Sequence, residues 1–176
     1  MRARAVVVAT DPREASRLLG TEIPAGFHGT TCVYFAAEKT PVDEPLLVLN
    51  GEGKGPINHL AVPSEVAAGY APPGASLISV TVLGTSGGDE VLLTAVRGQL
   101  MSWFGAQVAG WRHLATYRIP QALPAMPPSS GPVEETVALG DGLFVCGDDR
   151  GMPSLQGALR SGRRAADAVD AYLSAA

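Results

Sequence analysis

The stretch "GLFVCGDDRGMPSLQGALRSGRRAADAV", residues 142–169, decides the fold class of this chain. An apolar run ends at Gly147 and Asp148, a short polar loop follows, and small residues then recur at helical spacing from about Leu155 to Leu173. The pattern predicts a buried strand, an acidic turn and a helix. In open α/β sheets ligands bind at the carboxyl ends of the strands, so Asp148 is expected at a ligand-binding edge.

The beginning of the predicted helix suits an anionic group. Ser154 can cap it, and Gly157 and Ala158 are small enough for a ligand to approach the first turn. Free N–H groups and the positive end of the helix dipole would then face a phosphate or an anionic ring. Arg163 and Arg164 are expected on the solvent side. The alternative interpretation is a helix whose small residues simply pack on a strand, and these residues alone leave both open.

Two other small residues of this helix are interpreted as packing residues. Gly162 is expected to let the helix pack closely, and Ser161 is expected to be a small residue of its packed face rather than a nucleophile. Ser161 lies in no G-x-S-x-G motif, which is the sequence pattern of a hydrolase nucleophile.

The rest of the chain combines two kinds of pattern. Residues 6–9 are typical of a strand buried on both faces, and Asp11 can cap a helix that ends at Gly20. Between residues 30 and 82, short apolar segments separated by glycine and proline predict an antiparallel sheet. An amphipathic helix is predicted to end near Gly105. The fold class expected is therefore α/β, with a mixed, largely antiparallel sheet.

Composition excludes several classes of protein. The 176 residues carry a net charge of −4 and no block of like charges, which argues against nucleic-acid binding. No apolar run approaches the roughly 18 residues of a membrane helix, and a cytoplasmic location is expected. Cys32 and Cys146 lie within apolar runs and are expected to be buried free thiols. The three histidines, His28, His59 and His113, are scattered, so no metal site is predicted.

The closing stretch resembles the C-terminal FAD-binding motif of the flavin-containing amine oxidase, protoporphyrinogen oxidase and phytoene desaturase superfamily. That motif is an apolar strand, a glycine and an acid, a short loop, and "GA…SG…AA" on a helix, all of which occur here in order. Segments such as "LNGEGKGPINHLAVPS" resemble the substrate-domain half of the same superfamily. The resemblance implies that residues 1–20 and 132–176 form an incomplete, Rossmann-like FAD domain and that residues 21–131 form a substrate-domain-like sheet plus helix, with residues 124–132 as a linker.

The resemblance also implies positions for the cofactor. Gly147 and Asp148 would lie near the ribityl chain or the pyrophosphate of FAD. Gln156, Gly157 and Ala158 would face the pyrimidine edge of the flavin from the helix N-terminus. Reduced flavin carries negative charge there, which the helix dipole favours.

Four further residues are candidates for the substrate side. By resemblance, Tyr117 and Arg118 end a strand that approaches the flavin, and Asn58 and His59 lie on a strand that would border the substrate cavity. For each of them a purely structural role is the alternative. No catalytic acid or base is identified in the sequence.

The superfamily's dinucleotide-binding fingerprint, G-x-G-x-x-G between a strand and a helix, does not occur in these residues. The segments "GEGKG" at 51–55 and "GTSGG" at 84–88 lack the spacing and are interpreted as turns. The expectation is therefore the C-terminal part of an enzyme, with weak or absent FAD binding by the chain alone. An N-terminal FAD-domain partner or a homodimer would complete it.

The sequence leaves two functions open. The first is an FAD-dependent oxidoreductase that transfers a hydride from a small apolar or amine substrate to the flavin. The second is a non-catalytic, truncated module that acts in interaction or assembly. They differ in whether FAD affinity appears when the missing half is supplied.

Overall fold

The computed structural model describes residues 2–21, 26–126 and 136–175. The chain forms two compact units, one of Met1–His28 with Leu123–Ala176 and one of Gly29–Ala122. The strands in chain order are β1 (Val6–Val8), β2 (Phe27–Ala37), β3 (Leu47–Leu49), β4 (Ile57–Ala61), β5 (Ser76–Leu83), β6 (Arg112–Pro124), β7 (Ala138–Gly140) and β8 (Leu143–Val145). The α-helices are α1 (Pro12–Leu19), α2 (Pro63–Val66), α3 (Asp89–Phe104) and α4 (Leu155–Ala175). The predicted α/β class with a largely antiparallel sheet is confirmed.

The first unit contains a small three-stranded sheet in the order β1-β8-β7. β1 runs parallel to β8, with Val6 opposite Leu143 and Val8 opposite Val145, and β7 is antiparallel to β8. A glycine at position 142 is required in the β7–β8 hairpin, because its φ is +74° and a Cβ would come within 2.7 Å of the Arg4 carbonyl oxygen. The sheet therefore brings the two ends of the sequence together, as parallel pairing of an early and a late strand requires.

Only part of β1 is buried. Val8 is buried with Ala15 and Val145, whereas Val6 and Val7 are 51% and 42% exposed. The prediction of a strand buried on both faces was therefore wrong, because among the described residues nothing covers the outer side of Val6 and Val7. The helix that follows does begin and end as predicted. Asp11 accepts hydrogen bonds from the first-turn amides at 3.1 Å, and Gly20 ends α1 in the left-handed conformation.

The second unit is a five-stranded sheet in the order β3-β4-β5-β2-β6. The strand pairs whose register is defined, β2–β5, β3–β4 and β4–β5, are antiparallel, as predicted. Burial alternates along β2 and β5, so one face of the sheet forms the core with α3 and the other does not. The fully buried side chains of this core include Val33, Phe35, Ile57, Leu60, Ile78, Val80, Val96, Leu100 and Val108.

The "GEGKG" segment is a structural turn held by α3. Gln99 donates to the Lys54 carbonyl at 2.7 Å and accepts from the Ile57 amide at 2.9 Å. Gly55 has a φ of +73°, and a Cβ there would overlap the Gln99 amide. Asn50 closes the turn from its other end by donating to the Lys54 and Ile57 carbonyls. The interpretation of these glycines as turn residues is confirmed.

Two expectations concern the remainder of the chain. None of the helices in the described parts of the chain combines the length and the apolar character needed to cross a membrane. Residues 127–132 of the predicted linker lie outside the described residues.

Candidate functional site

A buried serine connects the acidic turn after β8 to helix α4. The Ser161 hydroxyl accepts a hydrogen bond from the Gly147 amide at 3.1 Å, and Ser161 is 3% exposed. The predicted packing role is thus accompanied by a hydrogen bond between residues 14 apart in sequence. The bond fixes where the strand ends relative to the second turn of α4.

Ser154 caps α4 as predicted. Its hydroxyl accepts from the Gly157 amide at 3.0 Å, and its carbonyl accepts from the Ala158 amide at 2.9 Å. Among the described residues, the amides of Leu155 and Gln156 have no acceptor. These two N–H groups are therefore the ones that the helix end offers to a ligand.

Gly157 has a different structural role from the one expected. A Cβ at this position would overlap the Met152 carbonyl oxygen, so the preceding loop requires a glycine here. Gly162 was expected to allow close packing, but a Cβ added there would meet no described atom within 4 Å, so that prediction was wrong. The contact at Gly157 was missed because local spacing does not encode the path of the loop.

The acidic turn holds a second carboxylate that the sequence pattern did not single out. Asp148 begins a short 3₁₀ turn, Asp148–Arg150, and is partly exposed. The Asp149 side chain is 6% exposed and lies 3.4 Å from the Arg150 guanidinium. A Cβ at Gly147 would come within 2.3 Å of an Asp149 carboxylate oxygen, so a side chain there would displace that carboxylate. The only sequence signal for this pair was an acid next to a base after the predicted ligand-binding acid.

Cys146 at the end of β8 is a free thiol in this environment. Burial raises its pKa, and the negative charge of Asp149 raises the pKa further. The thiol is half-buried rather than buried, and so is Cys32, which is also free. At neutral pH Cys146 is therefore a protonated, weakly nucleophilic group.

A small cavity of about 140 Å³ lies between the loop after the acidic turn and α4. Gln156 and Gly157, two of the predicted cofactor residues, line it together with Arg150, Arg160 and Arg164. Arg164 was predicted to lie on the solvent side of the helix, whereas in the structure it borders this cavity. Gly147, Asp148 and Ala158 are not among its lining residues.

The sheet of the second unit has one open face, on which some of the predicted substrate-side residues lie. His59 on β4 is in register with Leu49 and Thr81, and the next rung carries Ala61 opposite Leu47 and Ser79. These side chains alternate with the buried ones and are partly or fully exposed.

Tyr117 lies on β6, the edge strand at the other end of this sheet from β3, with two strands between it and β4. It is exposed and stacks edge-on against Tyr34 with ring centroids 5.9 Å apart. His59 and Asn58 contact each other through Asn58 Nδ2 and His59 Nδ1 at 2.9 Å, next to a register shift in β4. Because β5 and β2 lie between β4 and β6, the two groups are about 14 Å apart across the sheet. Tyr34 is a neighbour of Tyr117 that the sequence pattern did not reveal.

Arg118 is engaged in holding a loop. Its Nε donates to the Thr85 carbonyl at 3.1 Å, its Nη2 donates to the Gly87 carbonyl at 2.8 Å, and it forms an ion pair with Asp89. The guanidinium thus fixes the segment before α3. This geometry favours the structural alternative for Arg118 that the sequence left open.

Comparison with known proteins places this geometry in a family. Residues 1–170 match the family described as flavin containing amine oxidoreductase. The chain belongs to the flavin-containing amine oxidoreductase family. The resemblance in the closing stretch of the sequence is thereby confirmed, and the match extends over nearly the whole chain.

Solved structures agree with this family fold. An oxidoreductase from Methanosarcina mazei superposes with a TM-score of 0.63 at 17% identity, covering 89% of this chain and 37% of that one. A protein from Pyrococcus furiosus superposes with a TM-score of 0.64 at 14% identity, covering 97% and 41%. The chain therefore spans about two fifths of the length of either structure. The comparison with curated proteins gives no match.

For a flavin family member, the residues present at α4 fit the cofactor. The helix end offers two amide donors, and the cavity beside it is lined by guanidinium groups, both of which suit phosphate oxygens and an anionic ring. Over the described ranges there is no group of three or more His, Cys, Asp or Glu side chains that could hold a metal ion.

Proposed function

We propose that this chain is the C-terminal part of an FAD-dependent oxidoreductase that transfers a hydride from a small apolar or amine substrate to the flavin. The family membership supports a flavin enzyme. The observation that carries the proposal is the β8–turn–α4 unit, in which Ser161 fixes the turn and Ser154 caps the helix.

The first unit would be the incomplete FAD domain, and its contacts would follow the predicted assignments. Gly147 and Asp148 would meet the ribityl chain or pyrophosphate, with Asp148 accepting hydrogen bonds. Gln156, Gly157 and Ala158 would lie along the flavin edge, where the N-terminal dipole of α4 favours negative charge. FAD, when bound, supplies the hydride acceptor.

The second unit would contribute to substrate binding. Its open sheet face carries His59 and Tyr117. Both side chains end in polar atoms and are partly or fully exposed. The apolar neighbours on the same rungs, Leu47 and Leu49, suit an apolar substrate. Asn58 would act through its hydrogen bond to His59, and Arg118 would act only by fixing its loop.

The glycine fingerprint that binds the AMP moiety of FAD would come from a segment outside these 176 residues. A helix end and an acidic turn alone hold only one part of the cofactor, so the chain by itself is proposed to bind FAD weakly or not detectably after desalting. Supplying an N-terminal FAD domain of this family in trans would raise the affinity.

The test is the visible absorption of the chain after incubation with FAD and desalting, alone and with such an N-terminal domain. Retention of flavin only in the mixture, reduced in Asp148→Asn but not in Asp141→Asn, supports the proposal. Asp141 is a matched control because it lies in the β7–β8 hairpin of the same unit. No flavin in any mixture contradicts the proposal.

The second candidate is a non-catalytic interaction or assembly module, including a homodimer. The observation that favours it is the row of exposed leucines at the edge strand β3, Leu46, Leu47 and Leu49. A module of this kind would self-associate in sedimentation experiments and would be indifferent to FAD. Leu49→Glu would abolish the association, and Val91→Glu, at an equally exposed valine of α3, would not.

A further inference from the structure

We propose that an apolar seam along α4 pairs two copies of this chain, with the two helices antiparallel. Nonpolar residues recur along α4 at alternating intervals of four and three residues, namely Leu155, Leu159, Gly162, Ala166, Val169 and Leu173. This is the 3.5-residue period by which one helix packs along another. The seam is separate from the exposed leucines of β3, and the pairing does not depend on FAD.

The seam is not used for packing within one copy of the chain. Ser161 and Ala165 are the buried residues of α4 and belong to another face of the helix. Leu155 and Leu159 on the seam are 82% and 74% exposed. A Cβ on Gly162, between them and the end of the seam, would meet no described atom within 4 Å. Leucines in water and a glycine inside a helix are both unfavourable, and a helix of a second copy would bury the former and use the latter for close approach.

The order of side-chain sizes along the seam is self-complementary in an antiparallel pair. With the two-fold axis beside residue 164, the first and second copies form the pairs Leu155 with Leu173, Leu159 with Val169, and Gly162 with Ala166. Large side chains therefore meet at both ends of the seam, and small ones meet at its centre. The distance between packed helices is set by the side chains at their crossing point, so the small pair lets the helices approach closely. Such a self-complementary surface is what a two-fold dimer requires.

Charge favours the antiparallel orientation. The solvent-side flank of the seam carries Arg163 in the first half of the helix and Asp170 in the second half, and both are exposed. In an antiparallel pair this flank meets the same flank of the second copy in reverse, so Arg163 of each copy approaches Asp170 of the other. Within one copy Arg163 lies 3.8 Å from the exposed Asp167, which is a weak surface contact. A parallel pair would lose the contacts to Asp170 and would place like ends of the helix dipoles side by side.

The length of the seam sets the expected strength of the dimer. From Leu155 to Leu173 the seam is about 27 Å long, because an α-helix rises ~1.5 Å per residue. One helix pair of this length buries less surface than the interfaces of obligate dimers. We therefore expect an equilibrium between monomer and dimer that depends on protein concentration.

The experiment is sedimentation equilibrium of the full chain from about 10 μM to 1 mM, a range that includes weak dimers. We expect dimers of the wild type, and a dimer affinity at least about tenfold lower in Leu159→Glu, because a carboxylate would be buried in the seam. Leu49→Glu is the matched control, since Leu49 on β3 is 67% exposed, and it should dimerise like the wild type. A wild-type monomer at every concentration, or an equal or greater loss in the control, overturns the proposal.

Two further variants test the geometry of the pair. Gly162→Leu adds a side chain that one copy accommodates, because the Cβ meets no described atom, but that would hold the paired helices apart. Its dimer affinity should fall while thermal unfolding of the dilute monomer shows no destabilisation. Arg163→Glu should also weaken the dimer, and adding Asp170→Arg should restore affinity by reversing both charges. Unchanged affinity in Gly162→Leu, or no recovery in the double variant, contradicts the antiparallel pair.

Another occupant of the seam would be recognised by amide NMR. If the chain alone stays monomeric and the seam amides shift only when an N-terminal FAD domain of the family is added, the seam is the docking surface of that domain. That result overturns pairing with a second copy.

Discussion

The Ser161 hydroxyl accepts the amide proton of Gly147 at 3.1 Å, from a helix position 14 residues further along the chain. This bond joins the last residue before the acidic turn to the face of α4 that packs on the sheet. It connects the end of β8 to the second turn of α4. The proposed contacts to a flavin all lie at or between the two residues that this bond joins.

Replacing Ser161 by alanine removes the acceptor and leaves the Gly147 amide without its partner. Because the pair is part-buried, we expect the free energy of unfolding to fall by about 1–3 kcal/mol. Urea denaturation measures the change. Ser102→Ala is the control, since Ser102 is exposed and bonds only within its own helix, and an equal effect of the two variants would refute the role of Ser161.

The two helical glycines of α4 should respond oppositely to alanine. Gly157→Ala places a Cβ onto the Met152 carbonyl and is expected to destabilise the protein by about 1–3 kcal/mol. Gly162→Ala meets no described atom and gains helix propensity, so it is expected to stabilise by up to about 1 kcal/mol. Thermal unfolding of the two variants measures both signs, and a stable Gly157→Ala protein would show that the loop is not seated on the helix.

Gln99 should be a stability determinant of the second unit. Gln99→Ala removes one bond to the Lys54 carbonyl and one to the Ile57 amide, and the expected loss is about 2 kcal/mol in the free energy of unfolding. Gln107→Ala, which removes one exposed bond to the Phe104 carbonyl, is the control in the same urea experiment. Equal midpoints for the two variants would contradict the account of the turn.

The Cys146 thiol should react slowly in the folded protein. Its pKa is raised by burial and by Asp149, so the neutral thiol is favoured in the folded state. The resulting stabilisation is fully present below the unfolded pKa of about 8.5 and is lost as the pH rises through the folded pKa. Alkylation of Cys146 by iodoacetamide, followed by mass spectrometry, should be slower in buffer than in urea between about pH 7 and 9. Equal rates would contradict the raised pKa.

Features that depend on nearby sequence could be predicted, and features that depend on distant partners could not. Asp11 and Ser154 were identified as helix caps because a cap needs only the next three residues. The exposure of Val6 and Val7 depends on what lies across the sheet, which their own apolar pattern does not encode. The partner of Ser161 and the path of the loop over Gly157 depend on contacts formed only in the folded chain.

The candidate site shows the same division. The strand, acidic turn and helix were predicted from residues 142–169, and the family match agrees with them. The row of Arg160 and Arg164 lining a cavity was missed, because the loop that closes the cavity has no periodic pattern of its own.

The most direct test of the flavin half-site is an amide NMR titration of the chain with FAD, which detects even weak binding. The account predicts shifts of the Gly147, Asp148, Gln156, Gly157 and Ala158 amides, weaker in Asp148→Asn and unchanged in Asp141→Asn. The account would be contradicted if the chemical shifts of these amides did not change on addition of FAD, or if changes occurred only in the second unit.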